Sequence, residues 1–265
     1  MVLSTTGRRP LRRGGVRART ALVARALLLA ALVVAVFTPL AERPAGAQSA
    51  ASSVPVLIYH HIDETLGLYG VTSQQLDAQL SWMVNAGYTA ITPSQLYWGL
   101  YQGGTLPAKP VVLSIDDGWP SAQIFMNYIA KYGLTAAYML PNYAAFSPDQ
   151  IVGMSQWGEV CGHTVDHAHL DWMGYDQQYA EVHDNKVWLE GIIGKPVTCF
   201  AYPFGGYNDS AIQAVKDSGY LMAFLCSWAP IPLDGTANPY LLQRINVDGA
   251  YGVSDLAHAM GDWSI

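Results

Sequence analysis

Residues 111–118 read Val-Val-Leu-Ser-Ile-Asp-Asp-Gly, and this stretch decides how the rest of the chain is interpreted. Its mostly apolar first part predicts a buried β-strand, which two carboxylates and a glycine follow directly. Adjacent like charges repel each other, and a group of opposite charge close to both offsets that repulsion. The order indicates a strand that delivers Asp116 and Asp117 to a site. Taken alone, the Asp-Asp-Gly stretch is also compatible with an ordinary turn.

The sequence around this stretch alternates between β-rich apolar segments and segments with helical periodicity. Strands are predicted at residues 54–60, 111–115, 134–140, 197–202, 220–225 and 241–247, and one more begins at Val160. Helices are predicted from the cap at Thr72 or Ser73, over residues 121–132, from Ser147-Pro148, and over residues 175–191, 209–218 and 254–260. This alternation favours α/β architecture with parallel strands and helical crossovers. About seven such units predict a compact barrel, complete or incomplete.

A second polar motif, His-Thr-Val-Asp-His at residues 163–167, follows the strand predicted from Val160. Parallel strands end at the same rim of a barrel, so this motif and the Asp-Asp-Gly stretch are expected to lie close together. His163 and His167 are four residues apart, which on one helical turn points both imidazoles the same way and suits a shared divalent metal ion. Taken alone, this spacing is also typical of a surface helix face.

A third ligand is needed for such a metal site, and Asp117 is the natural candidate because it ends a strand at the same rim. Two histidines and one carboxylate leave coordination positions open for water and substrate, as catalytic metal sites do. Asp116 is then free to accept a proton as a general base. The doublet would therefore have divided roles, with the cation offsetting its repulsion.

The first 47 residues are interpreted as a secretory leader. Eight arginines and one glutamate accompany an apolar run at residues 26–37, and Ala45-Gly46-Ala47 forms a small-residue cleavage site. The run is shorter than the ~20 residues of a spanning helix. We expect a secreted or cell-envelope-associated protein with no membrane insertion after cleavage, although an uncleaved anchor is the alternative. Residues 48–53 form a short lead-in, and residues 54–265 form one domain.

The electrostatic balance changes once the leader is set aside. The whole chain has 14 basic and 20 acidic residues, so removing eight and one leaves six and nineteen, a net charge of −13. Such an acidic domain without a basic patch argues against nucleic acid and against anionic membranes as partners. The negative charge also disfavours a polyanionic substrate, so a neutral or cationic polymer fits better as the substrate. Nothing in the sequence indicates an oligomer, and we expect a monomer.

Three cysteines follow the leader, at positions 161, 199 and 226. Export permits a disulfide, and Cys199 and Cys226 each end an apolar run that predicts neighbouring strands. They form the favoured pair, with three buried thiols as the alternative.

Three motifs in order, residues 114–118, 163–167 and 200–208 (Phe-Ala-Tyr-Pro-Phe-Gly-Gly-Tyr-Asn), resemble those of the polysaccharide deacetylases, carbohydrate esterase family four. The resemblance spans roughly residues 54–247. It implies a distorted (β/α)7 barrel and metal-dependent removal of acetyl groups, usually from N-acetylglucosamine polymers. It also implies the following roles: Asp116 as the base, and Asp117, His163 and His167 as ligands of a divalent metal, Zn2+ first and Co2+, Ni2+ or Mn2+ as alternatives.

The chain departs from the family pattern at the third motif. The family has Arg-x-Pro-Tyr, in which the arginine steadies the base, whereas this chain has Ala201-Tyr202-Pro203-Phe204. After the leader the sequence contains one arginine, Arg244, near a later strand. We hypothesise that Arg244 reaches the site and pairs with Asp116; an ordinary surface arginine is the alternative.

The general acid is the second departure. The family's Leu-x-Ile-x-His motif normally lies near the C-terminus, but here Ile-x-His occurs at residues 58–60. This placement resembles the circularly permuted branch of the family, which includes secreted poly-N-acetylglucosamine deacetylases. The resemblance implies His60 as the acid that protonates the leaving amine. Asp248 is a candidate for orienting His60, and a structural histidine is the alternative for His60 itself.

Several aromatic residues near the motifs are candidates for binding a sugar ring and its acetyl methyl: Trp119, Tyr202, Phe204, Tyr207 and Trp228. Aromatics in such loops also serve as core, and this alternative stays open. His169, His183 and Asp166 are interpreted as solvated or supporting groups. Two other functions remain as alternatives, an O-acetyl esterase acting on a polymer such as xylan and a non-catalytic carbohydrate-binding protein.

Overall fold

The computed structural model describes residues 51–64 and 69–265, which belong to one compact unit, Ala47–Ile265. The predicted leader therefore lies outside the described residues. The β-strands are β1 (Ser53–Val54), β2 (Val56–Tyr59), β3 (His61–Ile62), β4 (Gly70–Val71), β5 (Thr89–Ala90), β6 (Pro110–Ile115), β7 (Ala137–Leu140), β8 (Glu159–Gly162), β9 (Cys199–Ala201), β10 (Met222–Phe224), β11 (Ile231–Pro232) and β12 (Ile245–Asn246).

Helices alternate with these strands, as the sequence predicts. They are α1 (Ser73–Asn85), α2 (Pro93–Tyr101), α3 (Ala122–Lys131), α4 (Pro148–Trp157), α5 (Tyr175–Ile193), α6 (Asp209–Asp217) and α7 (Val253–Ala259). Thr72 and Ser147 cap α1 and α4 with reciprocal capping boxes. Helix α2 was not predicted, although Thr92-Pro93-Ser94-Gln95 carries the same cap signal as residues 147–150.

The central sheet is parallel throughout and has the order β10-β9-β8-β7-β6-β2-β12, with β5 pairing beside the start of β6. Isolated bridges from Phe224 to Leu242 and from Ser227 to Ile245 connect the end of β10 and the residues that follow it to the segment around β12, so the sheet curls toward closure. This arrangement confirms the predicted distorted (β/α)7 barrel. Five of the strands are shorter than predicted, those expected at residues 54–60, 134–140, 197–202, 220–225 and 241–247.

Alternation along the strands separates two apolar regions. Leu113 and Ile115 of β6 belong to the cluster shared with the surrounding helices, whereas Val112 belongs to a second cluster between the strands. Successive side chains of a strand point to opposite faces, so Ser114, which is fully buried, continues the inner row. The inner row is therefore apolar where the strand begins and polar where it ends, and this change prepares the site.

The cysteine prediction was wrong. The disulfide joins Cys161 in β8 to Cys199 in β9, two residues of the inner cluster, and Cys226 is free and half-buried. Strands β8 and β9 are direct neighbours in the sheet. Cys226 lies beyond the end of β10, at the opposite end of the strands from Cys199, which begins β9.

Removing the Cys161–Cys199 bridge should lower the free energy of unfolding substantially. The cysteines are 38 residues apart, and closing a loop of that size removes about 4 kcal/mol of denatured-state entropy. We expect the double serine variant of these cysteines to lose close to that amount in urea titrations, and the Cys226→Ser variant to match the wild type. Thiol alkylation of the unreduced, denatured protein should label Cys226 alone. Labelling at all three positions would contradict the assignment.

In the part of the chain that the structure describes, no helix combines the length and apolarity needed to cross a bilayer.

Candidate active site

The barrel rim at which the strands end carries the polar motifs. Asp116 directly follows β6, His60 directly follows β2, and His163 directly follows β8. The amide of Asp116 donates to the carbonyl of Tyr59 at 2.9 Å, and this hydrogen bond joins the end of β6 to the end of β2. These residues therefore meet because parallel strands place their carboxyl ends side by side.

Backbone strain explains how two adjacent aspartates can serve one site. Asp117 has φ of +69°, which turns its side chain away from the direction that continued β-structure would give. Among the described residues, the non-glycine positions with positive φ are Asp117, Thr164, His167 and Phe204, and all four belong to the motif loops. Such conformations cost of order 1–3 kcal/mol each and cluster at functional sites. Gly118 is required beside them, because a Cβ there would lie 2.4 Å from the Cβ of Ala144.

The predicted metal ligands converge. Oδ1 of Asp117 lies 3.3 Å from Nε2 of His163 and 3.0 Å from Nε2 of His167, and the three ligand atoms all lie within 4.8 Å of one another. Burial alone would raise the pKa of Asp117, but the two histidines beside it outweigh that effect and hold that pKa well below its ordinary value. The Nε1–H of Trp119 donates to Oδ2 at 3.1 Å and further fixes the carboxylate.

The chemistry of this donor set fits a divalent cation. Nδ1 of His163 lies 2.8 Å from the carbonyl oxygen of Ala201, which accepts only from a protonated nitrogen. In the neutral imidazole this leaves the Nε2 lone pair directed at Asp117, an arrangement that a metal ion stabilises. The carbonyl thus selects the tautomer that a metal ligand requires.

The two histidines do not share a helical turn, and this part of the prediction was wrong. Residues 163–169 form a loop between β8 and a short 3-10 turn at Leu170–Trp172. Helix α5 supports that loop through hydrogen bonds. The carboxylate of Glu181 accepts hydrogen bonds from the amides of Val165 and Asp166. Asn185 accepts the amide of His163 at 2.9 Å.

Glu181 and Asn185 were not identified from the sequence. A signal existed, because the two are four residues apart and therefore lie on one face of α5. Asn185 is fully buried and also donates to the carbonyl of Leu140 and to Asn142, so it connects three segments behind the ligands.

Asp116 lies on the inner row and pairs with Arg244. The guanidinium contacts both carboxylate oxygens, Nη1 to Oδ1 at 2.9 Å and Nη2 to Oδ2 at 2.8 Å, and both side chains are almost fully buried. Nη1 also lies 3.3 Å from the hydroxyl of Ser114, and Nε donates to the carbonyl of Leu225. The arginine that the third motif lacks is thus matched in space by one from the segment before β12.

His60 lies in the same cleft as the two aspartates, beside the ring of Tyr69 at 5.0 Å. Burial lowers the pKa of His60, and the charges of Asp116 and Asp117 oppose that effect. Its Nδ1 is buried without a hydrogen-bond partner among the described residues. Asp248, the candidate for orienting it, instead accepts the amide of Ala250.

The five predicted aromatic residues take different positions. Tyr202 and Phe204 line the cleft, and Tyr202 is fully buried with an unpartnered hydroxyl among the described residues. Trp119 contacts the candidate metal ligands through its hydrogen bond to Asp117. The ring of Tyr207 packs against that of Tyr202 at 5.7 Å. Trp228 is largely exposed and does not line the cleft.

The cleft itself has a volume of about 160 Å³. Its lining is His60, Tyr69, Asp116, Asp117, His163, His167, Tyr202, Phe204, Cys226 and Arg244. Tyr69 and Cys226 were not predicted, and burial raises the pKa of the Cys226 thiol. The lining joins one buried carboxylate, one triad of metal-type ligands and one half-buried imidazole, which is an arrangement suited to hydrolysis.

Comparison with known proteins identifies this constellation. A sequence model described as polysaccharide deacetylase matches residues 103–223, which include both aspartates and both ligand histidines. Over these residues the chain is similar to the polysaccharide deacetylases. These enzymes use a divalent metal, and the Asp117-His163-His167 triad is the candidate site for it here. His60 and Arg244 lie outside the matched residues.

Individual proteins show the same similarity. The chain is 27% identical over 203 residues to YxkH of Bacillus subtilis (strain 168), which is named for the polysaccharide deacetylases, and the match covers 74% of this chain and 72% of that protein. The solved Bacillus anthracis protein BA0330, named for the same family, superposes with a TM-score of 0.69 at 25% identity, covering 78% of this chain and 69% of that chain. The Streptococcus pyogenes deacetylase PplD has the same fold, with a TM-score of 0.72 at 23% identity over 78% and 98% of the two chains.

Proposed function

We propose that this polysaccharide deacetylase removes N-linked acetyl groups from a polymer that contains N-acetylglucosamine, and that it releases acetate with the help of one divalent metal ion. The observation that carries the proposal is the geometry of the aspartate doublet. Asp117 reaches both histidine Nε2 atoms within 3.3 Å, while Asp116 is held apart from it by two hydrogen bonds to Arg244.

Asp117, His163 and His167 would hold the metal ion. When bound, such an ion supplies Lewis acidity, which polarises the acetyl carbonyl and makes a water molecule easier to deprotonate. Two hydrogen bonds keep the ligands in orientation, one from Nδ1 of His163 to the carbonyl of Ala201 and one from the indole N–H of Trp119 to Asp117.

Asp116 accepts the proton of the attacking water as that water adds to the acetyl carbon. Arg244 fixes the direction of this carboxylate, because the bidentate contact occupies both oxygens at 2.8–2.9 Å. By family analogy, the amide N–H of Phe204 stabilises the negative charge that develops on the acetyl oxygen. The positive φ of Phe204 sets the direction of the peptide group there.

His60 donates a proton to the sugar nitrogen as its bond to the acetyl carbon breaks, and acetate and a free amine result. A nitrogen leaving group needs this proton, because an amide anion is a very poor leaving group. The burial of His60 lowers its pKa, so the protonated imidazole gives up its proton readily.

The net charge supports an amide over an ester substrate. Each N-acetyl group removed leaves an ammonium on the polymer, whereas each O-acetyl group removed leaves a neutral hydroxyl. Residues 48–265 carry a net charge of −13, which accommodates a product that becomes steadily more cationic.

The test is acetate release from three acetylated polymers: poly-N-acetylglucosamine, peptidoglycan and acetylxylan. We expect release from an N-acetylated polymer, its loss after chelation, and its return with Zn2+, Co2+, Ni2+ or Mn2+, with Zn2+ as the native ion. Release from acetylxylan alone would establish the ester activity instead. Sugar binding without acetate release, with metal present, would establish a non-catalytic carbohydrate-binding protein.

We further propose that the protein is a monomer, secreted or associated with the cell envelope, and belongs to the circularly permuted branch. The leader pattern and the Cys161–Cys199 bridge support export, since disulfides persist in oxidising compartments. His60 supports the permuted branch, because its strand β2 lies beside the last strand, β12.

A further inference from the structure

Three aromatic rings form a stacked ladder that leads away from the metal ligands. The ring of Phe204 contacts His167 edge-on at 4.5 Å. His169 stacks on Phe204 at 3.9 Å and 7°, and Trp172 stacks on His169 at 3.8 Å and 5°. No direct ring contact joins Trp172 and Phe204 among the described pairs, so His169 lies between them. Trp172 is the outermost ring, and 76% of it is exposed.

The outermost ring sits on a firmly held turn. Leu170, which begins the 3-10 turn Leu170–Trp172, is fully buried. The side-chain amide of Gln178, itself fully buried on α5, donates to the carbonyls of Leu170 and Met173 at 2.7 and 2.9 Å. The indole therefore offers its outer face to solvent from a pre-organised position.

Glycine at position 206 lets this turn approach the loop that carries Phe204. A Cβ at Gly206 would lie 2.4 Å from Oδ1 of Asp171, so the two segments are in direct contact. The ladder thus connects a side chain of the cleft to an exposed ring through parallel stacking at each of its last two steps.

We propose that the outer face of Trp172 is a sugar-binding subsite of the deacetylase, and that it stacks on a pyranose ring of the polymer some distance from the residue being deacetylated. This inference rests on the proposed function. A pyranose ring presents an apolar face of C–H groups, and a large, fixed aromatic surface is the natural complement to it. An exposed indole held in place costs little further entropy on binding.

The position of Trp172 makes chain length the decisive variable. Two rings, His169 and Phe204, separate it from the ligand His167. A short substrate that occupies the cleft does not reach Trp172, whereas a longer oligomer does. Trp172 therefore contributes to the binding of long substrates alone.

The experiment compares wild type, Trp172→Ala, Trp172→Phe and Trp157→Ala on an N-acetylglucosamine dimer and hexamer, with kcat and KM measured separately. Trp157 is the matched control, because it is 77% exposed and lies at the end of α4, just before β8 begins and thus at the opposite rim. We expect Trp172→Ala to lower kcat/KM for the hexamer about tenfold, mainly through KM, and to leave the dimer unchanged. Trp172→Phe should retain most of the hexamer activity.

Two other results overturn the inference in distinguishable ways. If the wild type releases acetate from the hexamer and Trp172→Ala behaves like Trp157→Ala, or loses activity equally on both oligomers, Trp172 is not a subsite. If the metal-loaded wild type releases no acetate from either oligomer, the proposed function is wrong, and the subsite proposal that rests on it is wrong as well. Thermal unfolding of each variant shows whether it is folded.

Discussion

Replacing Arg244 by alanine should destabilise the protein by about 3–5 kcal/mol and remove most of its deacetylase activity at neutral pH. Both members of the Arg244–Asp116 pair are almost fully buried, with 1% of Arg244 and 2% of Asp116 exposed. Removing the guanidinium leaves an almost fully buried carboxylate without its hydrogen-bonded cation. Such a charge is costly, and the group relieves that cost by taking up a proton.

The pH dependence distinguishes this explanation from simple loss of packing. In Arg244→Ala the buried carboxylate is protonated over a wider acidic range, so the acid limb of kcat/KM should move to higher pH. Arg244→Lys restores one charge but not the two-point contact, and should give an intermediate profile. Wild-type activity with an unshifted profile in Arg244→Ala would eliminate the role of Arg244.

Lys131→Ala is the matched control for this experiment. Lys131 also pairs with an aspartate, Asp77, at 2.6 Å, but its side chain is 51% exposed. Water screens and solvates an exposed pair, so we expect little change in stability or activity there. Urea titration of both variants at the same pH measures the contrast.

The second large effect is expected for Asp117→Asn. This substitution preserves side-chain volume but removes the one anionic ligand of the triad. We expect the purified variant to bind Zn2+ far more weakly, and its activity to fall by about a thousandfold or more, because the several kcal/mol of Lewis-acid stabilisation are lost. Isothermal titration with Zn2+ and acetate release by metal-loaded protein measure the two effects.

Asp166→Asn is the control, because Asp166 lies in the same loop as the histidines but its side chain is exposed. We expect it to bind metal and release acetate like the wild type. Asp117→Asn with normal Zn2+ affinity would show that the ion binds elsewhere. Normal affinity in both variants, with activity lost in Asp117→Asn alone, would assign Asp117 a chemical role instead of a ligand role.

Local patterns in the sequence were sufficient for the parallel barrel and for the convergence of Asp117, His163 and His167. Both depend on short-range signals: apolar strands that end in polar motifs, and caps such as Ser147-Pro148 that begin helices. Because parallel strands share a rim, motifs at strand ends must meet, whatever the details of packing. That rule predicts that Asp117, His163 and His167 lie at one rim.

Other features depended on contacts that no local pattern carries. Cys161 and Cys199 pair because β8 and β9 are neighbours, whereas the sequence favoured Cys226. Glu181 and Asn185 support the histidine loop from a helix whose facing direction the sequence did not specify.

What the sequence alone determined is the kind of chemistry and the rim on which it takes place, since residue types and strand ends are properties of short segments. Only the tertiary structure decided that Arg244, 128 residues from Asp116, grips both of its oxygens, and that Trp172 ends a stack of rings beginning at Phe204. The physical reason is that side-chain pairing across a curled sheet depends on register, curvature and backbone strain such as the positive φ of Asp117. Those quantities are fixed when all strands pack together.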